Sequence, residues 1–232
     1  MPFGGRDYFF PPLLLPFFLL LILLPLLFLL FILATSQVFQ LVFGLSYEEA
    51  LIVFLLIVLG SMINIPIYKK EGGVIEKSYS FFGLIYSTRE RNKVIVAINV
   101  GGCVIPLVLA IRLLIEFSVT LWLPVFAICS FIIYWYAKPA QGVGIAVPTF
   151  IPPITATVVS YMALILVGGP VQTLPKLAFS TGVISVLFGA DILHLRHLDR
   201  IGSGVMSIGG AGTFDGIFLT GIFAVVFSIF LI

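Results

Sequence analysis

Residues 177–195, LAFSTGVISVLFGADILHL, and residues 213–232, TFDGIFLTGIFAVVFSIFLI, are the two stretches that decide the fold. Each is long and apolar enough to cross the ~30 Å hydrocarbon core of a bilayer as a helix. Each also carries one carboxylate: Asp191 lies near the end of the first stretch, and Asp215 lies in the first turn predicted for the second. Because an ionisable residue at membrane depth is costly, each aspartate marks a candidate functional site.

The composition of the whole chain is typical of a membrane protein. Its 232 residues are 61% hydrophobic and only 9% charged, whereas about 25% of the residues of a soluble domain are charged. Apolar stretches of roughly 20 residues predict an all-α, polytopic helical bundle of about seven helices that forms a single transmembrane domain, residues 1–232. The predicted spans are Leu13–Leu33, Glu49–Ile67, Val94–Ile115, Thr120–Ala137, Pro153–Val167, Leu177–Leu195 and Thr213–Ile232.

The distribution of Lys and Arg predicts the orientation, since cytoplasmic loops carry the excess of these residues. With an odd number of spans, all the basic residues except Arg112 and Lys176 fall on one side, so the amino terminus is expected in the cytoplasm. The net charge of +2 follows from this asymmetry and gives no reason to expect a nucleic-acid partner. We expect a multi-pass protein of the cell membrane, in contact with the lipid bilayer; the sequence leaves the oligomeric state open.

Three segments stand out before the aspartate-bearing helices. Residues 13–33 form a low-complexity first helix that is expected to face lipid. The cytoplasmic loop 68–93 has the Gly-Gly pair and the aromatic alternation of a small β-hairpin or an interfacial segment. Residues 138–153 contain too many Gly and Pro residues for a regular helix. This segment is too apolar for a solvated loop, so it is predicted to be re-entrant and to border the aspartates.

Glycines and amide side chains surround the two aspartates in the predicted topology. The glycines are expected to let helices and an extended substrate approach closely, and the amides to orient a substrate or a water. The predicted substrate-binding residues are Asn99, Gln141, Gly142, Gly144, Gly189, Gly212 and Gly216.

Two runs carry a resemblance to known proteins. GVGIAVP at 142–148 and GGAGTFDGIFLTG at 209–221 resemble a multi-pass membrane family of unknown function in archaea and bacteria. More distantly, the layout is similar to that of presenilins and signal peptide peptidases. These intramembrane proteases carry one catalytic Asp near the cytoplasmic end of the sixth helix and another near the start of the seventh. This resemblance implies that Asp191 and Asp215 are catalytic, although Asp215 follows Gly-Thr-Phe rather than Gly-x-Gly.

The chemistry of the pair supports the same hypothesis. Two neighbouring carboxylates in a low dielectric hold one proton between them, so one can activate a water while the other protonates a carbonyl oxygen. This predicts aspartyl-type hydrolysis of a transmembrane peptide, without a cofactor or a metal. One alternative is an ion- or proton-coupled transporter, in which Asp191, His194 and Asp215 bind a cation. Another is a non-catalytic scaffold, in which Asp215 only caps a helix and Asp191 pairs with a neighbouring base.

Overall fold

The structure is a computed structural model that describes residues 14–81, 84–140, 144–197 and 204–232. The chain divides into two compact units, Met1–Phe54 and Leu55–Ile232. The described part of the first unit contains helix α1 (Leu14–Phe43) and the start of helix α2 (Tyr47–Gly60). Most large apolar side chains in the first half of α1 are exposed, as expected for a helix that faces lipid. A capping box begins α2, in which the Ser46 amide donates to Glu49 Oε2 over 2.8 Å.

A three-stranded sheet lies in the second unit. Strands β1 (Asn64–Phe81) and β2 (Leu84–Asn99) form an antiparallel hairpin, and strand β5 (Gly204–Ile208) pairs with β2 in parallel. The strand order is β1-β2-β5, so β5 is an edge strand within the described part of the chain. The protein is mostly helical, as predicted, but it also contains this sheet and is therefore not all-α. A hairpin does occupy the loop 68–93, but it is much longer than the small one predicted.

The sheet also corrects two predicted spans. Span Glu49–Ile67 was too long, since α2 ends at Gly60 and the chain enters β1 at Asn64. Span Val94–Ile115 was predicted to be helical throughout, but its first six residues belong to β2, and the helix begins at Val100. The Val- and Ile-rich run at the start of that span suits a strand as well as a membrane helix. Pairing with β1 and β5 on its two sides makes this run a strand.

The helices of the second unit pack around α6. A π-helix, Val100–Val104, leads into the first of them. The helices are α3 (Ile105–Leu114), α4 (Val119–Tyr136), α5 (Ile151–Leu166), α6 (Leu174–Val186) and α7 (Gly216–Ile229). Helix α6 contacts α3, α4, α5 and α7, and nearly all of its residues are buried. The prediction that the sixth and seventh helices are neighbours, with the third packed nearby, is confirmed.

Small and hydroxylated residues form the contacts between these helices. Thr157 Oγ1 on α5 donates to the Ala224 carbonyl on α7 over 3.0 Å, and the Ser160 and Thr181 hydroxyls are 3.2 Å apart. A Cβ on Gly182 would lie only 3.0 Å from the Thr220 methyl group. Close approach through small residues is how membrane helices gain packing energy.

Three helices within the described residues are long and apolar enough to cross a membrane. They are Pro16–Phe43, Val119–Tyr136 and Val171–Arg196, with mean hydropathies of 3.2, 1.8 and 1.6. The seven α-helices among the described residues match the number predicted. In the Gly- and Pro-rich segment, two short strands, β3 (Lys138–Ala140) and β4 (Gly144–Ala146), pair antiparallel before α5 begins.

Candidate functional site

Asp191 lies where helix α6 changes its winding. The helix continues as a π-helix over Leu187–Asp191 and then as a 3-10 helix over Ile192–His197. Such π-helical insertions are frequent at functional sites, because they rotate the following residues relative to a regular helix. Asp191 is half-buried. Within the described part of the chain, neither an ion pair nor a hydrogen bond holds its carboxylate.

Asp215 is held by the backbone around it. A 3-10 turn, Gly212–Phe214, precedes it, and its carboxylate caps the following helix α7. Oδ1 accepts from the Ile217 amide at 3.0 Å, and Oδ2 accepts from the Ala211 amide at 3.4 Å. Asp215 is therefore the N-cap, one residue before the helix in which it was predicted to lie. Its side chain is half-buried.

One cavity of about 490 Å³ brings the two aspartates together, and their charges interact. They are the only ionisable side chains among the described residues that line it. The lining residues are Ile145, Ala146, Val147, Thr149, Pro152, Val186, Ala190, Asp191, Val205, Met206, Ser207, Gly209, Gly210, Ala211, Phe214, Asp215, Gly216, Leu219 and Thr220. The structure thus places both predicted aspartates in the wall of one cavity, and their catalytic role stays a prediction.

The cavity also borders the backbone of β5. Three consecutive residues of this strand, Val205–Ser207, line it. Successive side chains of a strand point to opposite faces, as the exposed Val205 and the buried Met206 do here. A cavity that touches all three residues therefore lies along the edge of the strand. Among the described residues β5 pairs only with β2, and the aspartates line the same cavity as its other edge.

Asn99 does not line the cavity, contrary to its predicted role in substrate binding. It is fully buried, and all its polar atoms are used within the fold. Nδ2 donates to the Ser61 carbonyl at 2.7 Å and to Asn64 Oδ1 at 3.1 Å, and Oδ1 accepts from the Gly102 amide at 2.8 Å. The residue joins the turn after α2, the hairpin and the π-helix before α3. These bonds explain why an amide is tolerated at a fully buried position.

The predicted glycines have different environments. A Cβ on Gly189 would lie 2.5 Å from the Ser130 carbonyl oxygen of α4, and one on Gly212 (φ 62°) would collide with Ser61. These two glycines serve chain packing and do not line the cavity. Gly216 does line it, and Gly144 lies in β4 next to lining residues. Gln141 and Gly142 lie outside the described residues.

The alternative cation site, formed by Asp191, His194 and Asp215, is not assembled. His194 is buried, with Nδ1 at 3.2 Å from the Gly189 carbonyl oxygen and its ring 4.7 Å from that of Tyr134. In the described ranges, no three His, Cys, Asp or Glu residues form a group suited to a metal.

The proposed structural partners of Asp191 are engaged elsewhere or not described. Arg196 donates to the Tyr134 hydroxyl and lies over its ring, 5.5 Å from the centroid. Arg200 lies outside the described residues. The capping role considered for Asp215, in contrast, is present.

The sequence did not point to β5 or to Thr220 as parts of the site. The residues of β5 were assigned to a glycine-rich connection, because Val205, Met206 and Ser207 alternate in polarity too weakly to predict a strand. Thr220 follows Gly216 by four residues, so the two lie on one face of α7, and both line the cavity. This i, i+4 spacing is the signal that could have identified Thr220.

These features define a helical membrane protein with an acidic cavity beside a short sheet. The chain belongs to the family described as a protein of unknown function (DUF1614), whose model matches residues 58–227. The match includes both aspartates and every residue that lines the cavity. No curated protein and no solved structure matches the chain.

Proposed function

We propose that the protein is a multi-pass protein of the cell membrane that hydrolyses peptide bonds in transmembrane substrates, with Asp191 and Asp215 as the catalytic pair. One observation carries this proposal: two half-buried carboxylates with interacting charges share the wall of one cavity. No basic side chain is among the described lining residues, so the pair is best accommodated by sharing a proton.

The hydrogen bonds around the pair assign a role to each carboxylate. Asp215 accepts two backbone amides, which stabilise its ionised form. No described group donates to Asp191, so Asp191 holds the shared proton. In the proposed reaction Asp215 takes a proton from a water, whose oxygen attacks the carbonyl carbon, while Asp191 protonates the carbonyl oxygen.

The tetrahedral intermediate then collapses. Asp215 gives its proton to the amide nitrogen, the C–N bond breaks, and Asp191 recovers the proton of the former carbonyl oxygen. The products are a carboxylic acid and an amine, and the pair returns to its starting protonation state. No covalent link to the protein forms.

The free edge of β5 favours a peptide as the substrate over a small ion. An extended peptide can add to the edge of a strand through backbone hydrogen bonds, and the edge of β5 borders the cavity. A peptide bond cleaved by attack on its carbonyl must also be extended, because a transmembrane helix buries its carbonyls in its own hydrogen bonds. The order of Asp191 and Asp215 along the chain, near the end of one helix and the start of the next, is similar to the layout of presenilins and signal peptide peptidases and favours the same assignment.

The direct test is incubation of the purified protein in lipid with a panel of transmembrane peptides. The wild type is expected to cleave at least one peptide, and Asp215→Asn to cleave none while remaining folded. Equal cleavage by both proteins would exclude the proposed mechanism. If no peptide is cleaved and cations stabilise the wild type but not Asp215→Asn against heat, the ion-transport alternative replaces it.

A further inference from the structure

Gly216 is the one glycine at the site whose lack of a side chain the described fold does not explain. Six nearby glycines would each bring a Cβ into collision with neighbouring atoms: Gly101, Gly102, Gly189, Gly209, Gly210 and Gly212. A Cβ on Gly216 would meet nothing within 4 Å. Its φ is not positive either, so its backbone conformation does not require glycine.

Folding alone would favour another residue at this position. Gly216 is the first residue of α7, where alanine fits the backbone and lowers the entropy lost on folding. Gly216 lines the cavity, and it directly follows Asp215 in the chain. Glycine in such a place fits the close approach of another chain to the backbone.

We propose that Gly216 determines substrate specificity: its missing side chain leaves the room for the substrate residue next to the attacked carbonyl. This inference rests on the proposed hydrolysis and adds a size limit to it. The Cα of Gly216 forms the floor of a subsite beside Asp215. Side chains introduced at 216 take up that room, so the size tolerated in the substrate falls as the size of residue 216 rises.

The test combines variants of residue 216 with a matched set of substrates. The substrates are versions of one cleaved transmembrane peptide that carry Gly, Ala, Leu or Phe next to the cleaved bond. Gly216→Ala is expected to lower kcat/KM about tenfold or more for the Leu and Phe peptides and less than about threefold for the Gly peptide. Gly216→Val should extend the loss to the Ala peptide.

A control separates this effect from a general loss of stability. Ala127→Val adds bulk to an exposed position on α4, which does not line the cavity. It should leave kcat/KM unchanged for every peptide, and Gly216→Ala should unfold at or above the wild-type temperature. An equal loss for all four peptides, or no loss for any, would overturn the inference while leaving the hydrolysis standing.

If the wild type cleaves no peptide, a labelling experiment tests the proposed subsite directly. Gly216→Cys places a thiol at the proposed subsite, and the two native cysteines, Cys103 and Cys129, are buried. A maleimide should label this variant above the wild-type background, and the Leu-containing transmembrane peptide should slow the labelling. Protection without cleavage keeps the subsite and rejects the hydrolysis. Labelling at the same rate with and without peptide would reject the subsite.

Discussion

The helix-capping role of Asp215 and its proposed catalytic role can be separated by a comparison of Asp215→Ala with Asp215→Asn. In the structure its carboxylate accepts the Ile217 and Ala211 amides. Alanine removes both bonds, and loss of an N-cap costs about 1 kcal/mol of unfolding free energy. Asparagine caps about as well as aspartate, so its cost is only a few tenths of a kcal/mol. Both variants lack the carboxylate that is proposed to deprotonate the water.

Thermal unfolding of the purified protein in detergent measures the first effect. For a chain of this size, a loss of 1 kcal/mol lowers the Tm by about 2–4 °C, so Asp215→Ala should show that fall and Asp215→Asn should stay close to the wild type. Peptide cleavage measures the second effect, and it should be absent from both variants. If Asp215→Asn lowers the Tm as much as Asp215→Ala, the capping geometry is wrong. If Asp215→Asn cleaves normally, Asp215 is a cap and no more.

Two further predictions test how the loop that carries Asp215 is supported. Gly102→Ala should cost about 1–3 kcal/mol of unfolding free energy and lower the Tm, because its Cβ would collide with the Gly209 carbonyl oxygen. The matched control Gly216→Ala should not lower the Tm. Equal Tm values for the two variants would contradict this packing. Asn99→Leu should also lower the unfolding free energy by about 1–3 kcal/mol, because the Gly102 amide and the Ser61 carbonyl lose their hydrogen-bond partner. An unchanged Tm would show that these hydrogen bonds are dispensable.

The helical part of the fold was readable from the sequence because its signal is local. A stretch such as Val119–Tyr136 is long and predominantly apolar, and its length and composition alone mark it as a candidate membrane span. The sheet was not readable in the same way. Residues 94–98 form a strand because β1 and β5 flank them, and β5 comes from more than a hundred residues further along the chain. Parallel pairing over such a separation leaves no mark in the local pattern.

The aspartate pair was readable for a different reason. Asp191 and Asp215 lie on consecutive helices, so sequence order fixes them near the same end of adjacent elements, and the cavity contains both. Asn99 was misassigned because a buried amide has the same sequence signature whether it binds a ligand or a backbone. Only its hydrogen bonds to Ser61 and Gly102 distinguish the two. Similarly, the roles of Gly189 and Gly216 differ because only Gly189 has a helix packed against it.

The most direct test of the account is a double-mutant comparison of peptide cleavage by the wild type, Asp191→Asn, Asp215→Asn and the protein that carries both substitutions. Residues that act as one catalytic unit lose activity together, so their effects are not additive. We expect each single variant to fall to the same background rate as the double variant, with all four proteins folded. Cleavage by either single variant at a rate close to that of the wild type would contradict a shared-proton mechanism at Asp191 and Asp215.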